Sequence, residues 1–295
     1  MAQDKPLVTV GIPVYNGARH LERAARSLLD QTLADFELLI ADNASTDDTP
    51  QLCAELAKQD GRVRIIRHSV NIGAPRNWNS LVHAAGGRYF KWSSVNDTCA
   101  PTLLERCVNA LEADPGAVLS YGRTQLTDGD GNPTEIYSGD IDVRMDRPSQ
   151  RFEAVCLRMT LNNAMCGVIR TDVLRRTGLD RQYPSGDMAL MSELALHGRL
   201  LLLPEVLLFR RQAPGSFTSM LDPLQIQRMY DPAAQRPMKL IRSRRHLDNF
   251  ACITRAPIEW GEKFCAAGTA IRLMVWDRGR LWGELRSLSS SSHGT

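Results

Sequence analysis

Phe36-Glu37-Leu38-Leu39-Ile40-Ala41-Asp42-Asn43-Ala44-Ser45-Thr46-Asp47-Asp48 is the stretch that decides the fold. Its apolar run reads as a strand over 36–41, its polar run supplies turn and N-cap residues, and a helix is expected over 48–58. The same unit recurs on both sides. Upstream, a β-branched strand at 8–12 is ended by Pro13, and a helix follows at 18–29, with Leu21, Ala24, Ala25 and Leu28 at helical spacing. Downstream come a strand at 63–67, the turn Asn71-Ile72-Gly73, and a helix opened by Pro75 and ended by Gly86-Gly87. A strand at 89–92, the polar loop 93–97, a helix from Pro101 to Asp114-Pro115 and a strand at 118–121 complete this half.

Strands alternating with helices of this length predict an α/β fold with a mostly parallel sheet covered by helices on both faces. Ligands of such sheets bind at the carboxyl ends of the strands, which places loops 13–16, 42–45, 71–73 and 94–97 on one rim. After Tyr121 the rhythm changes. Asp128-Gly129-Asp130-Gly131-Asn132-Pro133 signals a hairpin, and helices at 149–160 and 188–197 flank short strands at 166–170 and 200–203. The expected organisation is one domain over 1–217, with a first half (1–121) that carries the ligand-binding rim and a second half (122–217) that meets a second substrate, then a mostly helical basic extension (218–295) with a disordered Ser-rich tail.

The residues exclude several classes. No G-x-G-x-x-G follows the first strand and no G-x-x-x-x-G-K-[ST] occurs, which disfavours dehydrogenases and P-loop kinases. A net charge of +3 with 23% charged residues gives no footprint for nucleic acid. Seven scattered cysteines without a C-x-x-C pair read as reduced thiols. The N-terminal residues carry no long apolar core or small-residue cleavage site, and 200–209 is too short to span a bilayer, so a cytoplasmic location is expected.

Three constellations bear chemistry. Pro13-Val14-Tyr15-Asn16 is a stiff loop with an aromatic ring able to frame a planar base, and Asp42, ahead of a helix N-terminus, can accept from a base or a ribose hydroxyl. Arg76, at a helix start, can fork onto a phosphate or a base. Asp187, in Tyr183-Pro184-Ser185-Gly186-Asp187, opens an apolar helix, where a capping role is sufficient by itself. Glu193 is the second candidate for the chemistry of this helix, though two turns inside it a structural role is the simpler reading; His197 reads as a helix-end residue, and Trp92, able to stack on a sugar, reads more simply as core.

These segments together resemble family 2 glycosyltransferases of the GT-A fold. The likeness rests on Val8-Thr9-Val10-Gly11-Ile12-Pro13-Val14-Tyr15-Asn16-Gly17, Leu28-Leu29-Asp30-Gln31-Thr32, the run 36–47 and Asn71-Ile72-Gly73. The resemblance implies an inverting transferase that moves a sugar from a nucleotide-diphospho-sugar, most simply of UDP or dTDP type, to a hydroxyl of a glycan, lipid-linked or small-molecule acceptor. It implies a donor site of Pro13, Val14, Tyr15, Asp42, Asn71, Gly73, Arg76, Asn96, Asp97, Arg210 and Arg211, with Asp187 as catalytic base and a Mn²⁺ or Mg²⁺ ion held at Asp97. The acidic motif is reduced here to Val95-Asn96-Asp97, and Ala213 stands where relatives often carry a histidine. Both departures fall on metal binding and predict weak or dispensable metal dependence, with Arg210 and Arg211 neutralising the leaving phosphates. They also motivate the alternative of a non-catalytic member that retains the nucleotide pocket. A sugar-nucleotide pyrophosphorylase is disfavoured by the lack of a basic Gly-rich loop after the first strand.

From Arg236 onward eleven Lys or Arg stand against five Asp or Glu, interleaved with Trp260, Phe264, Ile271, Trp276 and Trp282. This pattern predicts helices packed on the catalytic domain or on a second copy, with peripheral contact to an anionic membrane as the competing reading.

Overall fold

The computed structural model describes residues 5–212 and 221–289. In chain order the elements are β1 (Val8–Val14), α1 (Ala18–Leu29), β2 (Phe36–Asp42), α2 (Thr49–Gln59), β3 (Val63–Arg67), α3 (Ala74–Ala84), β4 (Tyr89–Trp92), β5 (Thr98–Cys99) and α4 (Leu103–Ala113). Then follow β6 (Ala117–Thr127), β7 (Pro133–Ile136), α5 (Pro148–Arg158), a 3₁₀ turn (Ala164–Cys166), β8 (Val168–Arg170), α6 (Thr171–Leu174), α7 (Gly186–His197), β9 (Arg199–Arg211), α8 (Pro223–Tyr230), α9 (Ile241–Arg255) and α10 (Trp260–Ser289). Ala213 and the expected domain boundary at 217 lie outside the described residues, as does the Ser-rich tail beyond Ser289, up to which α10 continues.

One sheet carries the molecule, in the order β3-β2-β1-β4-β8-β6-β9-β5, with β7 paired to β6. The β3-β2-β1-β4 half is wholly parallel. The other half is mixed, with β8 antiparallel to both β4 and β6, and β9 parallel to β6. Alternation along the strands divides the core in two. Val10, Ile12, Leu38 and Ile40 pack with Leu21, Leu28, Leu56 and Leu104 on one face. Leu39 and Ala41 pack with Leu81, Val155, Leu190 and Leu194 on the other. All seven cysteines are free.

Three features depart from the sequence reading, each because a distant strand decides it. Pro13 does not end β1: the β4 pairing stops at Gly11 opposite Trp92, so Pro13 sits beside β2 alone, where its missing N–H leaves no ladder bond unmade. β6 and β9 run far beyond the expected four residues because they pair with each other as far as Thr127 opposite Arg211. A register shift between Gly122 and Arg123 absorbs Pro204 and Glu205. The short β5 forms only through its pairing with the end of β9.

The C-terminal helices are fastened by one buried charge. Glu193 of α7 is fully buried and accepts from Arg255 Nε of α9 (2.6 Å), Arg181 Nη2 (2.9 Å) and the Gly178 N–H (3.0 Å). Burial alone pushes its carboxyl upward, yet these donors outweigh that and hold its pKa below the usual value. The expected structural role of Glu193 is what the contacts describe. Glu193→Ala strands two arginines and is expected to cost about 3–5 kcal/mol, read as a lowered midpoint in urea unfolding. A midpoint within error of the parent would contradict this role.

Candidate functional site

The parallel register sets the rim. Val14 is level with Asp42, and Asp42 with Arg67, so β1, β2 and β3 release their loops at one height. The loops are tied by side chains. Asn16, at φ 50°, donates its N–H to Ser45 Oγ (2.9 Å) and accepts from the Thr46 N–H (2.8 Å). Asn43 donates to Asn71 Oδ1 (2.8 Å) and accepts from the Ile72 N–H (2.9 Å). Ala44, at φ 60°, holds a left-handed backbone that an L-residue adopts at a cost of about 1 kcal/mol, a strain typical of loops shaped for a ligand.

These loops wall a cavity of about 690 Å³ lined by Pro13, Val14, Tyr15, Asn43 and Asn71, with Asn77 and Trp78 of α3. Tyr15 is half exposed. The roof comes from the C-terminal extension: Gln225, Arg228 and Met229 of α8, and Pro232. A capping box fixes the start of α8, Asp222 accepting from the Leu224 and Gln225 N–H groups while Gln225 Oε1 accepts from the Asp222 N–H. Gly73, at φ 85°, lets α3 approach this roof, since a Cβ there would lie 2.3 Å from the Tyr230 carbonyl oxygen.

A second cavity of about 300 Å³ shares Trp78 as a wall and gathers Asn96, Asp97, Asn162, Asp187, Arg210 and Arg211. The site therefore has an aromatic compartment, uncharged apart from Arg228, beside a charged one. Asp97 is buried and accepts the Arg211 N–H at 3.0 Å. Burial raises its carboxyl to about 6 against the pull of that N–H and of the Arg210 and Lys91 charges. Lys91 lies wholly buried, donating to the carbonyls of Cys166 (2.7 Å) and Trp92 (3.0 Å). Arg210 donates to Asn163 Oδ1 at 2.6 Å, and the Arg211 guanidinium meets His20 of α1. Burial and then the Arg211 charge hold the His20 pKa low, so the imidazole is neutral near pH 7.

Asp187 stands in the first turn of α7 and accepts from Asn162 Nδ2 at 3.0 Å. The cap position itself is Ser185, at φ 71°, with no side-chain cap bond, so Asp187 is not the N-cap. Asp180, in the loop ahead of α7, is pushed up to about 7 by burial and by the negative charge of Asp187.

The structure brings Pro13, Val14, Tyr15 and Asn71 to the first cavity and Asn96, Asp97, Asp187, Arg210 and Arg211 to the second, with Gly73 at the base of the roof. Two expected residues stand off. Asp42 is buried beneath the rim, accepting the Ser45 N–H at 2.9 Å and lying 3.4 Å from Arg67 Nε, because it is the last residue of β2. Arg76 is exposed and donates to Gln182 Oε1 at 3.1 Å, outside both cavities. Trp92 is core, donating to the Trp78 carbonyl, while Trp78 supplies the shared wall. Sequence reasoning missed Asn43, Asn77, Trp78, Asn162 and α8. The run Asp222-Pro223 marks a helix start, but only the tertiary path carries α8 over the cavity.

Comparison with known proteins agrees with this geometry. The family model described as Glycosyl transferase family 2 matches residues 9–178. Chondroitin synthase of Escherichia coli is 32% identical over 127 residues, which is 43% of this chain and 18% of that protein. The putative teichuronic acid biosynthesis glycosyltransferase TuaG of Bacillus subtilis is 30% identical over 137 residues, 46% of this chain and 54% of the relative. The matched regions therefore span only part of these relatives. Residues 1–349 of S. aureus TarS, solved in complex with UDP-GlcNAc, superpose with a TM-score of 0.60 over 92% of this chain and 74% of that one, at 14% identity. That likeness shows the shared GT-A architecture.

The elevated carboxyl of Asp97 predicts a pH signature. A carboxyl raised from 3.8 unfolded to about 6 folded stabilises the fold while protonated, and that contribution disappears as pH rises from about 4 to about 6. Relative to Asp97→Asn, the parent should lose about 3 kcal/mol of stability across that window, each pH unit between the two values being worth about 1.4 kcal/mol. Paired urea titrations at pH 4 and pH 7 measure the difference. An unchanged gap would place Asp97 in a solvated environment.

Proposed function

The chain belongs to glycosyl transferase family 2, and on that premise we propose that it transfers a sugar from a nucleotide-diphospho-sugar of UDP or dTDP type to an acceptor hydroxyl, with inversion at the anomeric carbon. The observation that carries this reading is the convergence of Asp187, Asp97, Arg210 and Arg211 on one small cavity beside the aromatic one. Tyr15 and the Asn43–Asn71 pair frame the base, and the diphosphate passes Trp78 toward the arginines. Asp187, oriented by Asn162, removes the proton from the acceptor hydroxyl as its oxygen attacks the anomeric carbon. Arg210 and Arg211 meet the charge that develops on the departing nucleotide, in a pocket where fixed cations need little reorganisation. TarS, with its UDP-GlcNAc complex, supports a UDP-class donor, and TuaG supports a role in polysaccharide or glycoconjugate biosynthesis, which we place in the cytoplasm.

The Mn²⁺ or Mg²⁺ ion that the family resemblance implies does not fit this donor set well. Among the described residues no three His, Cys, Asp or Glu side chains converge. Asp97 already accepts a backbone N–H, and two arginines occupy the same cavity. Hard divalent ions need several oxygen donors. Phosphate neutralisation is therefore assigned to the arginines.

Release of UDP from a panel of UDP-sugars, with and without a candidate glycan acceptor, tests the assignment. Asp187→Asn is expected to lower acceptor-dependent turnover at least 100-fold while UDP binding stays within about threefold, the pattern of a lost general base. Parent-level turnover in this variant would overturn the role of Asp187. Absence of turnover by the parent with every donor would favour the non-catalytic reading that Val95 and Asn96 motivate.

A further inference from the structure

The outermost element, α10, is thirty residues long, about 45 Å, and packs on α9 and α5 along one side only. Its inward face is small: Ala266, Thr269 and Ala270 are buried. The opposite face carries Trp260, Phe264, Ile271, Val275, Trp282 and Leu285, all exposed, with Trp260 at 75% and Trp282 at 63%. At 100° per residue these six fall within an arc of about 80° and run about 38 Å along the helix. Side chains of this size on a continuous exposed stripe mark a contact surface. No helix among the described residues is long and apolar enough to cross a membrane, so α10 can lie on a bilayer and not through it.

Every acidic side chain within α9 and α10 is engaged by an internal partner. Asp248 accepts from Tyr183 Oη, and Glu262 from the Ser149 N–H and Arg147. Asp277 meets Arg242, His246 and Arg280, and Glu284 the N–H groups of Arg242 and Ser243. Glu262 is held down to about 2 by its Ser149 and Arg147 bonds, so it stays ionised and committed. Exposed basic side chains are left outside, Arg244 and Arg278 among them, and Arg278 stands inside the apolar arc itself. An arginine there suits a long stem lying among lipid chains with its guanidinium at the phosphates.

We propose that α10 is an interfacial helix that docks this protein on an anionic lipid bilayer, with Trp260, Trp282, Phe264 and Ile271 entering the acyl boundary and Arg278 and Arg244 meeting lipid phosphates. Charge complementarity favours lipid over a second copy of the chain. The stripe does repeat at spacings of four and three, as in a helix pair, but a parallel pairing would bury Arg278 against its own equivalent. The consequence for the cleft is geometric. Pro232 lines the first cavity and Ile241 begins α9 beside Glu284, so nine residues, at most about 32 Å, separate the cleft from the C-terminal half of α10. Docking through α10 holds the cleft close to the membrane surface, whether or not it is catalytic.

Sedimentation of the full chain with vesicles of phosphatidylglycerol and phosphatidylcholine tests this, at 50 and 500 mM salt, beside vesicles of phosphatidylcholine alone. The expected result is capture by the anionic vesicles at low salt, at least tenfold weaker at high salt and on neutral lipid. Ile271→Glu/Trp282→Glu, at exposed positions that leave the melting temperature unchanged, should weaken capture at least tenfold, and Arg278→Glu should weaken it while flattening the salt dependence. A parent chain that stays in the supernatant overturns the proposal, as does a double variant captured like the parent. Sedimentation velocity showing a dimer that the double variant dissociates, with no vesicle capture, would assign the stripe to a second copy instead.

Discussion

The hydrogen bond from the Arg211 N–H to the Asp97 carboxylate joins the two halves of this molecule. Asp97 ends the loop that leaves the parallel half after β4, and Arg211 ends β9, the longest strand of the mixed half. Their bond turns two chain segments 114 residues apart into one wall of the cleft and points Arg210 and Arg211 at the space that Asp187 faces. The long β6–β9 pairing exists to reach this point; it continues through a bulge and stops at Thr127 opposite Arg211. A carboxyl placed so deeply resists ionisation, and the structure offsets that resistance with a main-chain donor and the charges of Arg210 and Lys91.

The electrostatics of the cleft follow from that placement. The aromatic compartment is uncharged apart from Arg228 and is held in shape by asparagine-to-backbone bonds, which suits a planar, hydrogen-bonding base. The charged compartment sets two arginines against two carboxyls, one of them titrating near 6. Asp180 is raised by burial and by the negative charge of Asp187, its acidic neighbour at the start of α7. Below this, the buried Glu193 ties α7 to α9, and α9 carries α10, so the helix that presents Asp187 and the exposed basic face belong to one packed unit.

Much of this was legible in the sequence where the signal is local. Strand and helix periodicities from Val8 to Ala113 report burial against one sheet, and the rim follows from the rule for carboxyl ends. What the sequence did not disclose depends on distant pairing. Pro13 reads as a strand end, yet it continues β1 because β4 has already stopped. Asp42 reads as a rim residue but lies beneath the rim, one position inside the strand, where the next side chain, Asn43, reaches the cavity. Arg76 has the right chemistry and faces the wrong side of α3, toward Gln182. Nothing in the composition of 223–232 reveals that this helix roofs the cavity, since its position is set by the path of the chain and by the space Gly73 leaves.

Titration calorimetry of UDP into the intact chain, once in EDTA and once in excess Mn²⁺, tests most directly the claim that fixed cations beside Asp97 receive the diphosphate. Saturable binding is expected in EDTA, with an affinity changed less than about threefold by Mn²⁺ and a loss of at least tenfold in Arg210→Gln/Arg211→Gln, the size of a charge-assisted phosphate contact. Binding that appears only with Mn²⁺ and is indifferent to the two arginines would contradict it.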